Sequence, residues 1–358
     1  MAIEEMINLD DPGVYRQFDS QGMLNHLHNF PVLCQQAWEK AINFTLPDEY
    51  KNVNKAIILG MGGSAIGGDL AGNLIADEVE IPLVVCREYN LPRYADGNTL
   101  VIASSYSGMT EETLCAFLQA GDTPAKKLAI TTGGDLKKFC QTKNIPVFCF
   151  EYGCQPRAAL PFSFLAILGV LQQLGIIRDK TSEVKETLTI LKQLASRVAE
   201  NIPTSQNPAK LLAQKLEGRL PIIYGGGITA EVAHRWKTQI NENSKSMAFY
   251  EVFSELNHNA IVGYQFPEEV AHNSMVILLF SDLLHPRLQL RYSITCRLLD
   301  QAGIYYQTVS GEGSSALSQM MSLILLGDYV SYYLAILNRV DPTPVQPIEY
   351  LKQQLART

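Results

Sequence analysis

The stretch Lys55-Ala56-Ile57-Ile58-Leu59-Gly60-Met61-Gly62-Gly63-Ser64-Ala65-Ile66-Gly67-Gly68 decides the fold. A short apolar run stops at a glycine-rich turn, and a helical pattern, Asp69 to Ile75, follows. An apolar run of this length bounded by glycine is the pattern of a buried strand. Moving outward, IPLVVC (81–86), TLVIA (99–103), KKLAIT (126–131) and PVFCF (146–150) read as four more strands, with a helix over Thr113 to Ala120. Strands alternating with helical segments predict an α/β fold with a doubly wound parallel sheet. Upstream, Met23, Leu24, Leu27, Phe30, Leu33 and Trp38 recur at helical intervals, so the chain up to about Thr45 is helical.

The same order returns later. After a helical middle, Phe162 to Leu174 and Glu183 to Ala199, the strand LPIIYGGG (220–227) again runs into glycines. The helix TAEVAHRWKTQI (229–240), the strand MVILLF (275–280), the polar loop SDLLHPR, a helix over 288–303 and the strand IYYQTV (304–309) complete a second copy. Two tandem units of one α/β pattern are expected, 1–185 with the helical N-terminal segment and 186–358 with a C-terminal helix, hinged between Asp179 and Pro208. Beyond Met320 a long apolar helix precedes DPTPVQP, and Pro347 suits the first turn of a last helix, Ile348 to Leu355.

Composition narrows the function. The 358 residues are 47% hydrophobic and 18% charged, which is globular and ample for two cores. The 29 basic and 36 acidic residues give a net charge of −7, so the chain lacks the broad positive field that nucleic acid or an anionic membrane surface rewards. Local cations and backbone N–H groups still suffice for a small anion. The seven cysteines are odd in number, scattered and without a C-x-x-C pair, as expected of reduced thiols in a cytoplasmic protein. MAIEEMINLDD has neither the basic nor the apolar region of a signal peptide. The apolar stretches Ala158 to Ile177 and Met320 to Leu337 are interrupted by polar residues and read as buried helices rather than membrane spans.

Two loops carry candidate chemistry. The glycine turn Gly60 to Gly68 lets backbone N–H groups approach an anion at a helix N-terminus. Alone it fits three uses: a dinucleotide turn with Glu88 as the ribose acid, a sugar-phosphate turn, or a tight connection. The second loop, Ser104-Ser105-Tyr106-Ser107-Gly108-Met109-Thr110-Glu111-Glu112-Thr113, lies at the carboxyl end of a strand and opens a helix. Hydroxyls at Ser105, Ser107 and Thr110 can converge with helix N–H groups on one phosphate. An ordinary N-cap by Thr110 explains one hydroxyl but not three. Ligands of such sheets gather beyond the strand carboxyl ends, which places both loops on one crevice.

GMGGSAIGGDL followed by SSYSGMTEET resembles the sugar-isomerase (SIS) domain, and more narrowly the bifunctional phosphoglucose/phosphomannose isomerase family. Gln155 to Pro161 (QPRAALP), Asn241 to Lys245 (NENSK), Glu255 to Asn259 (ELNHN) and Gly327 to Tyr329 with Asp341 to Pro344 extend the similarity over nearly the whole chain. Met109 departs from it, standing where an asparagine is usual. The resemblance implies interconversion of glucose 6-phosphate and fructose 6-phosphate, with mannose 6-phosphate as a second aldose, through a cis-enediol(ate).

The resemblance also implies roles. Glu242 matches the catalytic base that moves a proton between C1 and C2, a task that suits a carboxylate. Arg157 matches the cation that stabilises the enediolate, as a permanently charged donor can. His258 matches the histidine that opens the sugar ring, which in the family comes from the neighbouring subunit, so a homodimer is implied. Lys352 matches a late lysine near the ring oxygen, and Thr343 shapes the space near C2. Phosphate falls to Ser64, Ser105, Ser107 and Thr110 with the turn at Gly62 and Gly63. No metal and no cofactor is implied, and no pair of histidines has convincing metal-site spacing. Two rivals stay open: a sugar-phosphate-sensing SIS protein without catalysis, and a nicotinamide-dependent oxidoreductase built on GMGGSA and Glu88.

Overall fold

A computed structural model describes residues 6–357. In chain order the helices and strands are α1 (Pro12–Phe18), α2 (Met23–Ile42), β1 (Lys55–Leu59), α3 (Gly62–Ile75), β2 (Leu83–Cys86), β3 (Thr99–Ser104), α4 (Glu111–Gly121), β4 (Lys126–Thr131), α5 (Gly134–Lys143), β5 (Val147–Cys149), α6 (Leu160–Gln173) and α7 (Thr181–Val198). They continue with α8 (Pro208–Leu216), β6 (Leu220–Gly226), α9 (Ala230–Ser244), β7 (Phe249–Phe253), α10 (Glu268–His272), β8 (Ser274–Phe280), α11 (Pro286–Ala302), β9 (Tyr305–Ser310), α12 (Ala316–Leu337) and α13 (Gln346–Leu355).

The chain forms two compact units. The first comprises residues 29–189 with 313–318, and the second residues 6–28, 190–312 and 319–357. In the first unit five strands pair in the order β2-β1-β3-β4-β5, all parallel. β3 is buried along its whole length, as its unbroken TLVIAS run requires of a strand covered on both faces. Ile57, Leu59, Val101, Ala103 and Ala129 pack with Phe117, Leu136 and Cys140 on one side of that sheet. Chain order reverses at β1, which pairs with β2 on one side and β3 on the other. The carboxyl ends of β1 and β3 therefore flank the crevice where sheets of this kind bind ligands.

The second unit repeats the plan with four parallel strands, β7-β6-β8-β9. Tyr224, Phe253, Val276, Leu278, Tyr292 and Leu299 form its core. Two parallel α/β units are thus present, as the repeated pattern predicts.

Residues 6–28 of the helical N-terminal segment, expected with the first domain, group with the second unit, while the rest of α2 stays with the first. The cause is Lys210 on α8, whose side chain is fully buried. Its ammonium donates to the carbonyls of Leu9 and Glu200, both at 2.7 Å, and to Asp10 Oδ1 at 3.1 Å. It also lies 5.8 Å from the centre of the Tyr15 ring and 5.7 Å from that of Tyr333. A buried ammonium costs several kcal/mol unless its hydrogens are satisfied, so residues 9 and 10 are held where they satisfy it. The division between units falls inside α7, between residues 189 and 190.

α12 is 22 residues long, with a mean hydropathy of 1.6 over its best window, so by length and composition it would cross a membrane. In the structure 94% of that window is buried within the protein, the outcome its tyrosines and Asp328 predict. All seven cysteines are free thiols.

Candidate active site

The first unit gathers the hydroxyl cluster. Ser64 lies in the first turn of α3, just beyond β1, and Ser105 follows β3 directly. Tyr106 N–H donates to Ser64 Oγ at 3.2 Å, which joins the two turns. Ser105 Oγ and Thr110 Oγ1 are 2.9 Å apart, and Ser105 Oγ also accepts from Gly108 N–H at 3.1 Å. Ser107 Oγ accepts from Met109 N–H at 3.2 Å. Ser64 and Ser105 are buried, Thr110 is half-buried, and Ser107 and Gly62 face solvent.

Thr110 is the N-cap residue of α4, yet its side chain makes no capping hydrogen bond. Such a bond stabilises a helix by about 1 kcal/mol. Thr110 forgoes it and turns its hydroxyl to Ser105, so capping does not account for this residue. α3 likewise begins without a side-chain cap. Two helix N-termini with uncapped first turns therefore adjoin the hydroxyls, each carrying partial positive charge. Such an arrangement, hydroxyls beside uncapped helix N–H groups, is a cradle that could hold a small anion.

Two glycines set its geometry. A Cβ on Gly108 (φ +64°) would lie 1.9 Å from the Gly133 carbonyl oxygen, so the 105–110 turn can close on the neighbouring turn only with glycine there. A Cβ on Gly63 would meet the Arg157 Cα and the Pro156 carbonyl, both at 3.1 Å. The absence of that Cβ lets the segment bearing Arg157 lie against the start of α3.

Arg157 sits in a short 3-10 turn, Pro156–Ala159, with 2% of its surface exposed. Its backbone thus lies beside the cradle. Just upstream, burial pushes the Cys154 thiol up to about 12; a hydrogen bond from Tyr106 and the charge of Arg157 oppose that only in part. A cavity of about 10 Å³ behind the cradle, lined by Ser64, Ser104, Tyr106, Pro156 and Ser163, holds one water at most. Met109, the departure from the family pattern, is 54% exposed, and its sulfur accepts from Asp135 N–H. It leaves the hydroxyl positions intact. Glu88 is exposed beyond β2.

Glu242, His258 and Lys352 belong to the second unit. Glu242 is half-buried in the last turn of α9, and the backbone around it is firmly anchored. Asn243 Nδ2 donates to Ser331 Oγ at 2.9 Å, and Ser244 Oγ donates to the Ser331 carbonyl at 2.8 Å. Lys245 caps the helix in the left-handed region and donates to the carbonyls of Glu242 and Pro342. That places the buried Thr343 near the same helix end. Further along α9, Arg235 and Asp328 form a buried ion pair at 2.7 Å, which binds α9 to α12.

His258 is exposed at the end of a 3-10 turn, Glu255–His258, which follows the carboxyl end of β7. Its neighbour Asn257 fixes that turn through Thr295 Oγ1 at 2.9 Å and Arg291 Nη1 at 3.3 Å. α9 starts at the carboxyl end of β6 and runs back, so Glu242 lies toward the amino ends of the strands. The fold therefore does not bring Glu242 and His258 of one unit together. A 15-residue helix such as α9 spans about 22 Å, and the two groups sit toward its opposite ends. Lys352 is exposed on α13, whose residues are nearly all exposed.

Sequence reasoning passed over Tyr106, Cys154 and Ser163 as site-forming residues. A tyrosine set between two serines of a strand-end loop was the available signal.

The parallel units with an uncapped, hydroxyl-lined helix entry define a double SIS-type protein. Residues 205–355 match the family model described as the bacterial phospho-glucose isomerase C-terminal SIS domain. The chain belongs to the bifunctional phosphoglucose/phosphomannose isomerase family. It is 44% identical to the member from Caldicellulosiruptor bescii over 335 residues, covering 93% of this chain and 99% of that one. The member from Aquifex aeolicus is 34% identical over 324 residues, covering 90% and 95%. Among solved structures, tagatose-6-phosphate ketose/aldose isomerase from Escherichia coli shares the fold, with a TM-score of 0.69 at 14% identity over 88% of this chain and 93% of that one.

Proposed function

We propose that this protein interconverts glucose 6-phosphate and fructose 6-phosphate, and accepts mannose 6-phosphate as a second aldose. The observation that carries the reading is the cradle: Ser64, Ser105 and Thr110 converge at the carboxyl ends of β1 and β3, and Thr110 gives up its cap to do so. The names of the relatives, bifunctional phosphoglucose/phosphomannose isomerases, point the same way.

In this reading the phosphate rests on Ser64, Ser105, Ser107 and Thr110 with the N–H groups of Gly62 and Gly63. His258 of the neighbouring subunit, with Lys352, moves the proton that opens the ring. Glu242 then takes the proton from C2 and returns it to C1, while Arg157 stabilises the negative charge on the enediolate oxygens. A homodimer is part of the proposal, and the separation of Glu242 from His258 along α9 supports it. Bond making and breaking balance within the substrate, so the chemistry needs neither metal nor nucleotide. Glycolytic or gluconeogenic duty in the cytoplasm would follow from those substrates.

The test is direct interconversion of the three hexose phosphates in D₂O, followed by NMR. Deuterium is expected at C2 of the aldose and C1 of the ketose. Binding of all three without turnover would favour the sensing protein instead, and a fluorescence change with NADH the oxidoreductase.

The cradle makes a further prediction. Gly108→Ala forces a left-handed residue, costing about 2 kcal/mol from the backbone alone, and adds a clash with the Gly133 carbonyl. The melting temperature should fall by several degrees, and KM for fructose 6-phosphate should rise by about tenfold or more as the hydroxyls separate. An unchanged KM would remove the 105–110 turn from phosphate binding.

A further inference from the structure

Tyr106 lies between two serines of the cradle, but its side chain serves a different stretch of chain. Its backbone is held on both sides. The N–H donates to Ser64 Oγ, and the carbonyl accepts from Thr132 N–H at 3.0 Å and from Thr132 Oγ1 at 2.8 Å. Its hydroxyl donates to the Tyr152 carbonyl and accepts from Cys154 N–H at 3.1 Å. The ring lies 6.0 Å from that of Phe150, which stacks on Phe162 at 4.4 Å. Arg157 follows only three residues after Cys154.

We propose that Tyr106 is a positioning residue that ties the phosphate cradle to segment 150–157 and so sets Arg157 for the charge that develops on the sugar. The inference rests on the isomerase reading above. Both grips on the segment come from the cradle's own turns: the Tyr106 hydroxyl holds residues 152 and 154, and Gly63 abuts residues 156 and 157. An anion that orders the Ser105–Thr110 turn thereby also orders the approach to the arginine. Packing alone would ask only for the ring, which phenylalanine supplies. The hydroxyl adds two main-chain hydrogen bonds, and these fix where the segment lies along its own length. Burial raises the tyrosine's pKa above its usual value, so the phenol stays protonated and able to donate through neutral pH.

A positioning residue matters when charge develops and little when substrate merely binds. Tyr106→Phe should lower kcat about tenfold, the worth of one well-placed hydrogen bond. KM for fructose 6-phosphate and inhibition by inorganic phosphate should stay within about twofold, since the cradle hydroxyls remain. The decisive measurement is a double-mutant cycle with Arg157→Ala. If Tyr106 acts through the arginine, Tyr106→Phe should have almost no further effect on kcat in that background. An equal loss in both backgrounds would overturn the proposal. So would an unchanged kcat with a lowered melting temperature, which marks a purely structural tie. A variant that fails to fold would overturn it too, because phenylalanine keeps the ring contact. A wild-type protein that turns over none of the hexose phosphates would instead refute the isomerase reading itself.

Discussion

Glu242→Gln should abolish nearly all isomerisation, with kcat reduced about a thousandfold, while sugar phosphate still binds. The carboxylate is the only part of the side chain that can accept the C2 proton, and the amide removes it without changing shape. The surroundings should not respond. α9 ends on hydrogen bonds from Asn243 and Ser244 to Ser331, from Asn338 to the Ser244 carbonyl, and from Lys245 to Pro342. They hold the backbone around residue 242, and glutamine keeps the shape of the side chain, so the variant should stay folded, as its melting curve would show. Comparing kcat for glucose 6-phosphate with retention of the ligand in equilibrium dialysis checks both halves. Retained turnover would remove Glu242 from the base role. Loss of binding as well would assign it to holding the sugar instead.

The rigidity of that helix end is what a proton shuttle needs. One group must reach two adjacent carbons, so an error of even 1 Å in its placement is costly. The Ser331 contacts lie beside Glu242 and the buried Arg235–Asp328 pair about two turns back along the helix, and both hold α9 against α12. Breaking such a pair on one side leaves an uncompensated buried charge, at about 3–5 kcal/mol.

Much of this was legible in the sequence because it depends on local pattern. Strand β3 reads correctly since Leu100 to Ala103 is an unbroken apolar run, and the pairing of two loops on one crevice follows from strand order. β7 went unread, because Phe249 to Phe253 (FYEVF) is an edge strand with an exposed first residue and no clean alternation. α5 and α8 were missed as well: α5 is ten residues long and polar, and α8 is only nine residues long. α3 begins at Gly62 rather than Asp69. Glycine weakens a helix by about 1 kcal/mol per residue, so its first turns look like loop until packing of α3 on α6 outweighs the penalty. The place of residues 6–28 was not legible either, since it depends on the buried ammonium of Lys210, about two hundred positions away. At the site, the hydroxyl positions were readable one by one. That Thr110 would abandon its cap for Ser105, and that Tyr106 would reach Cys154, could not be read from spacing.

Mixing two inactive proteins should restore activity. His258→Ala and Glu242→Gln each disable both sites of a homodimer if every site takes its glutamate from one subunit and its histidine from the other. The topology favours that division, because β7 carries His258 to the carboxyl edge of the second sheet while α9 carries Glu242 toward the opposite edge. After subunit exchange at equal concentrations, half of the dimers are hybrids. In each hybrid one site combines Glu242 of one chain with His258 of the other, and its second site lacks both. Recovery should therefore approach about a quarter of wild-type activity, as two-fold symmetry dictates. Co-expression with two affinity tags isolates the hybrid and should raise that to about half. No recovery in a verified hybrid would mean that each chain completes its own site, and the exposed His258 would then lose its place in ring opening.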